Sequence, residues 1–241
     1  DGRAFYGGAA YEESRTPEQK AAFRRALHET MDVWYAHQMI VTLLVTQLPR
    51  GYTGRTYERR GWTFFERSSS ELIKPAKAYV VPAGKTMNKG RWLWPMAIDS
   101  SADDADKGRR VPLAPDAFAE QLRHKQFTNN ADAGAVAELY RKTATQVLGG
   151  TTKLELDRVP VRDGDGARLA QALALCGKIE ELSWCFVEMP AAEVGAMLAA
   201  PVPSLQKLFL QWTFQVNHYL NTLLFHLQYY ILPYQLKRMQ V

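Results

Sequence analysis

Apolar residues at Phe23, Leu27, Met31 and Trp34 or Tyr35 recur at the three-to-four-residue period of one helix face. Thr16-Pro17-Glu18 stands before them as an N-cap residue, a proline for the first helical position and an early acid. Residues 17–35 therefore read as an amphipathic helix. Residues 39–48 form a short, β-branched apolar run that stops at Pro49, which suits a buried strand of a parallel sheet. A second helix is expected over 57–73, with Pro75 as its stop, and a second short buried strand over 78–82. Helix, buried strand, helix, buried strand is the alternation of a layered α/β sheet domain. Residues 83–115 are rich in Gly, Asp, Lys and Pro and read as irregular connection. Beyond them 115–125 and 132–148 are helical in pattern, the second carrying Val136, Leu139, Tyr140 and Val147 on one stripe. Gly149-Gly150 ends that helix and marks a boundary.

After the boundary the pattern repeats itself. Thr151, Leu154 and Leu156 are followed by Ile179, Leu182 and Trp184, then by Leu205, Leu208 and Leu210. The offsets are 28 residues (154 to 182) and 26 residues (182 to 208). The first two copies run on into helix-like stretches with G-x-x-L-A: Gly166, Leu169 and Ala170, then Gly195, Leu198 and Ala199. Repeats of this length predict β-α units stacked into a solenoid built for contact. Leu154, Leu156, Leu182, Trp184, Leu208 and Leu210 are its expected core. The alternate residues form an outward patch suited to a protein partner: Lys153, Glu155 and Asp157, then Glu181, Ser183 and Cys185, then Lys207, Phe209 and Gln211. Asp163 and Asp165 are candidate caps for the first repeat helix; Asp-Gly-Asp-Gly alone lacks the ligands of a calcium loop. The segment resembles the long, 28-residue class of leucine-rich repeat found in ribonuclease-inhibitor-like proteins. It departs from that class at Val159, Val187 and Thr213, where Asn or Cys is usual, so the side-chain ladder of the turn is expected to be absent. Residues 212–241 abandon the pattern and read as an apolar C-terminal helix or cap, with 220–232 too short and too polar to span a membrane.

Composition narrows the picture. A net charge of +5 is dispersed among acids and apolar residues, so Arg55-Arg59-Arg60, Lys74-Lys77, Lys85-Lys89-Arg91 and Lys107-Arg109-Arg110 read as solvated surface, with no nucleic-acid partner. Two cysteines, Cys176 and Cys185, are too few for a disulfide framework or a four-thiolate zinc site. No glycosylation sequon or leader segment is visible, which favours the cytoplasm. The first residue is Asp rather than Met, so the α/β unit is expected to be N-terminally incomplete.

The densest chemistry lies at Tyr57-Glu-Arg-Arg-Gly-Trp-Thr-Phe-Phe-Glu66. Trp62 and Glu66 are one helical turn apart, placing an indole and a carboxylate on one face after a buried strand. Such a Glu66 can orient a ribose hydroxyl or act as an acid/base with a raised pKa; it can equally pair with Arg59, Arg60 or Lys74 on an ordinary helix. Over roughly residues 35–82 the order of buried strand, loop, W-x-x-x-E and helix resembles Toll/interleukin-receptor (TIR)-type domains. The resemblance implies a flavodoxin-like parallel sheet and, as in the members that cleave NAD, a catalytic Glu66 with Trp62 as the substrate wall. Thr63 replaces the usual Cys. The Y-x-x-R-G-W-x-x-F-E string followed by leucine-rich repeats is also similar to uncharacterised proteins of unicellular algae. Other candidates fall away. The run 81–86 ends like a phosphate-binding loop but has Tyr79 where the first Gly belongs. The five histidines show no metal-ligand spacing, and Ser68-Ser69-Ser70 lacks a nucleophile elbow and reads as exposed helix.

The expectation is thus an α/β chain in four parts: an incomplete TIR-like parallel-sheet unit (1–82), connection and helices (83–150), leucine-rich repeats (151–211) and an apolar cap (212–241). Its expected work is protein–protein interaction or scaffolding within a larger intracellular signalling protein, with no cofactor, metal or transmembrane span. The alternative is NAD hydrolysis by Glu66.

Overall fold

A computed structural model describes residues 14–44, 46, 53–75, 79–80, 109–187, 190–212 and 226–230. The readings at 81–86 and across 83–108, and those at Thr213 and over 213–225 and 231–241, lie outside these residues. The described chain mixes helix and strand, as an α/β class requires, and contains a small parallel sheet of three strands.

Helix α1 (Pro17–Glu29) starts on a reciprocal cap: Thr16 Oγ1 accepts from Gln19 N–H at 3.3 Å, and the Gln19 side chain accepts from Thr16 N–H at 2.9 Å. The single helix expected over 17–35 is broken at Thr30, whose hydroxyl donates back to Ala26 O at 2.7 Å. After it the short helix α2 (Met31–Ala36) turns Asp32 and Ala36 inward and leaves Trp34 65% exposed. Of the strand expected over 39–48, only β1 (Thr42–Leu43) forms among the described residues, pairing in parallel with β2 (Tyr79–Val80). Met39 is 80% exposed, and among the described residues of this run only Thr42 and Leu44 are buried. Residues 41–44 alternate between solvent and protein rather than being covered on both faces.

Helix α3 (Gly61–Ser70) follows a single 3-10 turn at Tyr57–Arg59, so the longer helix expected over 57–73 is split at Arg60. Gln126 fixes the split by donating to Arg59 O at 2.7 Å and accepting from Gly61 N–H at 3.0 Å. A Cβ on Gly61 would lie 2.0 Å from the Phe127 ring, so no larger residue fits. α3 is central, and Ser68, Ser69 and Ser70 are buried rather than exposed. It packs on α4 (Pro115–Leu122) and α5 (Asp132–Gly150) through stacked rings, Phe64 on Phe118 at 4.9 Å and Phe118 on Tyr140 at 3.8 Å.

Two cations expected at the surface are buried. Lys74 donates to His37 O and Ile40 O, and burial, with the charge of Arg109 adding to it, lowers its pKa to about 8. Arg109 donates to Glu71 O and to Glu155 O, both at 2.9 Å, tying the end of α3 to the sheet. Burial alone would raise the Glu71 carboxyl; Arg110 and Arg67 outweigh it and hold it at about 2.

The main sheet has the order β3-β4-β5-β6, from β3 (Lys153–Glu155), β4 (Glu181–Val187), β5 (Lys207–Trp212) and β6 (His226–Tyr230). The first three are parallel, and α6 (Asp165–Leu173) and α7 (Ala191–Leu198) lie between them in sequence and pack together. Within the tail expected to be helical, 226–230 is a strand antiparallel to β5. Polar and apolar residues alternate at 226–229, and the free edge of β5 supplies the partner. Leu154, Leu156, Leu169, Ile179 and Trp184 are fully buried, each worth roughly 1.5–3 kcal/mol of transfer free energy. One buried cluster runs from Phe64 through Tyr140 and Leu148 to Leu210, crossing Gly149-Gly150 without a gap.

Candidate functional site

The sheet brings the nine outward candidates into three rows. Lys153, Glu181 and Lys207 are direct register partners, as are Glu155, Ser183 and Phe209; Cys185 pairs with Gln211. Asp157 completes the third row beyond the end of β3, where its Oδ1 accepts from Cys185 N–H at 3.0 Å. Alternation along each strand sends Leu154, Leu182 and Leu208 to the opposite, buried face.

The rows differ in character. Lys153 Nζ meets Glu181 Oε1 at 2.6 Å, and this hydrogen bond raises the lysine pKa. Lys207 is exposed, while Glu155, Phe209 and Asp157 are half-buried. Ser183 and Cys185, expected to face a partner, are recessed at 8% and 7% exposure. Their polar atoms are turned inward: Ser183 Oγ donates to Asp157 Oδ1 at 2.6 Å, and Cys185 Sγ donates to Phe209 O at 3.6 Å. The side chain of Gln211 lies outside the described residues.

Asp157 carries a role that the motif reading missed. The usual ladder position holds Val159, which is buried; its N–H donates to Leu156 O at 2.9 Å and its carbonyl accepts from Trp184 Nε1 at 2.9 Å. Two residues earlier, Asp157 bridges neighbouring strands instead. Its polarity at the end of an apolar strand was the available signal. Arg158 follows with φ 61°, the one non-glycine residue at positive φ among the described residues.

Helix stacking behind the sheet is also specific. Neither Asp163 nor Asp165 caps α6. Gly164, at φ 79°, occupies the N-cap, and the Glu193 carboxylate of α7 accepts from Gly164 N–H at 2.9 Å and Gly166 N–H at 2.7 Å. Asp165 instead accepts from Arg162 N–H and binds Arg168 Nη1 at 2.8 Å.

Trp62 and Glu66 share α3 but turn to different neighbours. Trp62 Nε1 donates to Asp132 Oδ2 at 3.1 Å, and its ring meets Phe65 edge-on. Burial raises the Glu66 carboxyl, with a hydrogen bond from Tyr35 opposing it. Burial and the charge of Glu66 push Tyr35 up to about 12. Tyr35 is thus the side chain that acts on the Glu66 carboxyl against the effect of burial. A cleft of about 590 Å³ lies between α2, α5 and the β3 edge, and another of about 460 Å³ lies beside α1 and β1. Neither is lined by Trp62 or Glu66.

Among the described residues, no group of three or more His, Cys, Asp or Glu is placed to hold a metal. No helix among them is long and apolar enough to cross a membrane. Cys176 and Cys185 are both buried, and burial pushes the Cys176 thiol up to about 12. No protein-family model, curated protein or solved structure matches this chain.

Proposed function

We propose that this chain is a protein-interaction module whose binding surface is the face of β3, β4 and β5 bearing Lys153, Glu155, Asp157, Glu181, Lys207 and Phe209. In this reading the β-α units are leucine-rich repeats of the long class, and the module serves as a scaffold within a larger cytoplasmic signalling protein. The observation that carries it is the register: equivalent residues of successive repeats stand side by side, which turns a sequence repeat into one continuous patch. The patch alternates charge along its first row and offers a half-buried aromatic, Phe209, in its second. Aromatic anchors ringed by polar groups are the usual composition of binding surfaces.

The test uses a photoreactive residue at Lys207, with the same residue at exposed Gln171 on α6 as the control. The proposal expects a discrete cross-linked protein from position 207, absent from position 171 and lost in Phe209→Asp. Equal cross-linking from both positions, or insensitivity to Phe209→Asp in a folded variant, overturns it.

A further inference from the structure

The 590 Å³ cleft meets the proposed binding face at Lys153 and Glu155, which belong to both. Its walls include Val33, Ala36, Ile73 and Val147, and among its lining residues is a deeply set acid, Asp32, only 3% exposed. Asp32 Oδ1 accepts from the adjacent Val33 N–H at 3.0 Å, and Oδ2 accepts from Thr143 Oγ1 at 3.2 Å. A carboxylate offers about four acceptor positions, so these two neutral donors leave it under-supplied. The nearest cation, Lys142 Nζ, stands 3.9 Å from Oδ2, beyond hydrogen-bonding distance, on a side chain that is 58% exposed. Burying a carboxylate without a directly bonded cation is costly, and a charge-assisted donor delivered into the cleft offsets that cost.

We infer that this cleft receives a lysine or arginine side chain from the bound protein partner, with its cation on Asp32 and its aliphatic stem along Val33, Ala36, Ile73 and Val147. The combination of apolar wall and deeply placed anion matches the two parts of a long basic side chain. The cleft also has room for the flanking peptide, since about 300–1,000 Å³ is the range of sites that enclose whole small ligands. The inference rests on reading the adjoining sheet face as a partner surface, because that face delivers the side chain.

The experiment uses the full chain and no protein partner, so its outcome is separate from that of the cross-linking. Binding of N-acetyl-arginine amide and N-acetyl-lysine amide is compared by saturation-transfer NMR with that of uncharged N-acetyl-norleucine amide. At least one cationic probe is expected to bind at least about tenfold more tightly than the neutral one. Asp32→Asn keeps the Oδ1 acceptor for Val33 N–H, places an amide N–H where Thr143 Oγ1 can accept it, and is expected to erase the preference. Gly150→Leu occludes the cleft from its lining, at a position where an added Cβ meets nothing within 4 Å, and is expected to abolish binding of each cationic probe that binds the parent chain. Equal binding of charged and neutral probes, or preference unchanged in folded Asp32→Asn, overturns the inference. So does binding undiminished in Gly150→Leu, which serves alone if Asp32→Asn fails to fold.

Discussion

The backbone oxygen of Glu193 lies 2.0 Å from where a Cβ on Gly166 would stand, so α6 and α7 touch through a glycine. The corresponding glycine of the second G-x-x-L-A motif, Gly195, has nothing within 4 Å of its own Cβ position. Two residues with the same local sequence signature thus stand in opposite environments.

Gly166→Ala and Gly195→Ala are therefore expected to differ in sign. The first forces a backbone displacement costing about 1–3 kcal/mol. The second removes unfolded-state freedom from an open helix position and gains about 0.5–1 kcal/mol. Urea titration of both variants checks this; equal effects would mean that the helices do not meet at Gly166.

Arg109 joins the end of α3 to β3 through Glu71 O and Glu155 O. Arg109→Met leaves those buried carbonyls short of donors and is expected to cost about 3 kcal/mol. Because the buried cluster is continuous across 150, helical and sheet signals are expected to fall together. Tryptophan fluorescence and far-ultraviolet circular dichroism, followed in one denaturant titration, test for coincident transitions.

Stability is expected to fall with acid below about pH 4.5. The Glu71 pKa is held at about 2 in the fold against 4.5 ordinarily, so it stabilises the fold above 4.5 and loses that contribution as pH drops toward 2. Glu71→Gln removes this dependence and flattens the stability curve between those values. A variant curve as steep as the parent's would assign the acid response to other carboxyls.

Arg158 holds a left-handed backbone, φ 61°, between the Asp157 bridge and buried Val159. Arg158→Gly relieves a strain of roughly 1 kcal/mol and is expected to raise the melting temperature by a few degrees.

For Glu66, wild type and Glu66→Ala are expected to release nicotinamide from NAD at the same background rate. Trp62 is committed to Asp132, and Glu66 lines neither described cleft. A rate above background that depends on Glu66 would restore the enzymatic reading.

Features controlled by period were the most legible. Leu154, Leu182 and Leu208 announced both the strands and their register, because one spacing fixes which side of every strand is buried. Features controlled by a single long-range bond were not. Nothing near Thr16 forewarns that Thr30 will break its helix, and nothing in the Lys107-Arg109-Arg110 string distinguishes buried Arg109 from its neighbours. Asp32 was equally silent, since its importance comes from Thr143, 111 residues away along the chain. The inward turn of Ser183 and Cys185 required knowing that Asp157 reaches across to them.

The antiparallel β6 has a consequence for strength of binding. By running against β5, it ends the parallel array at three strands. Strands about 4.8 Å apart make the face only about 10 Å across, and three alternate rows make it about 13 Å long. That footprint is well under the roughly 800 Å² per partner of a durable complex. A partner held by this face alone would exchange rapidly, with micromolar or weaker affinity. Lasting attachment then depends on tethering or on several such modules acting together, where effective concentration supplies what contact area does not.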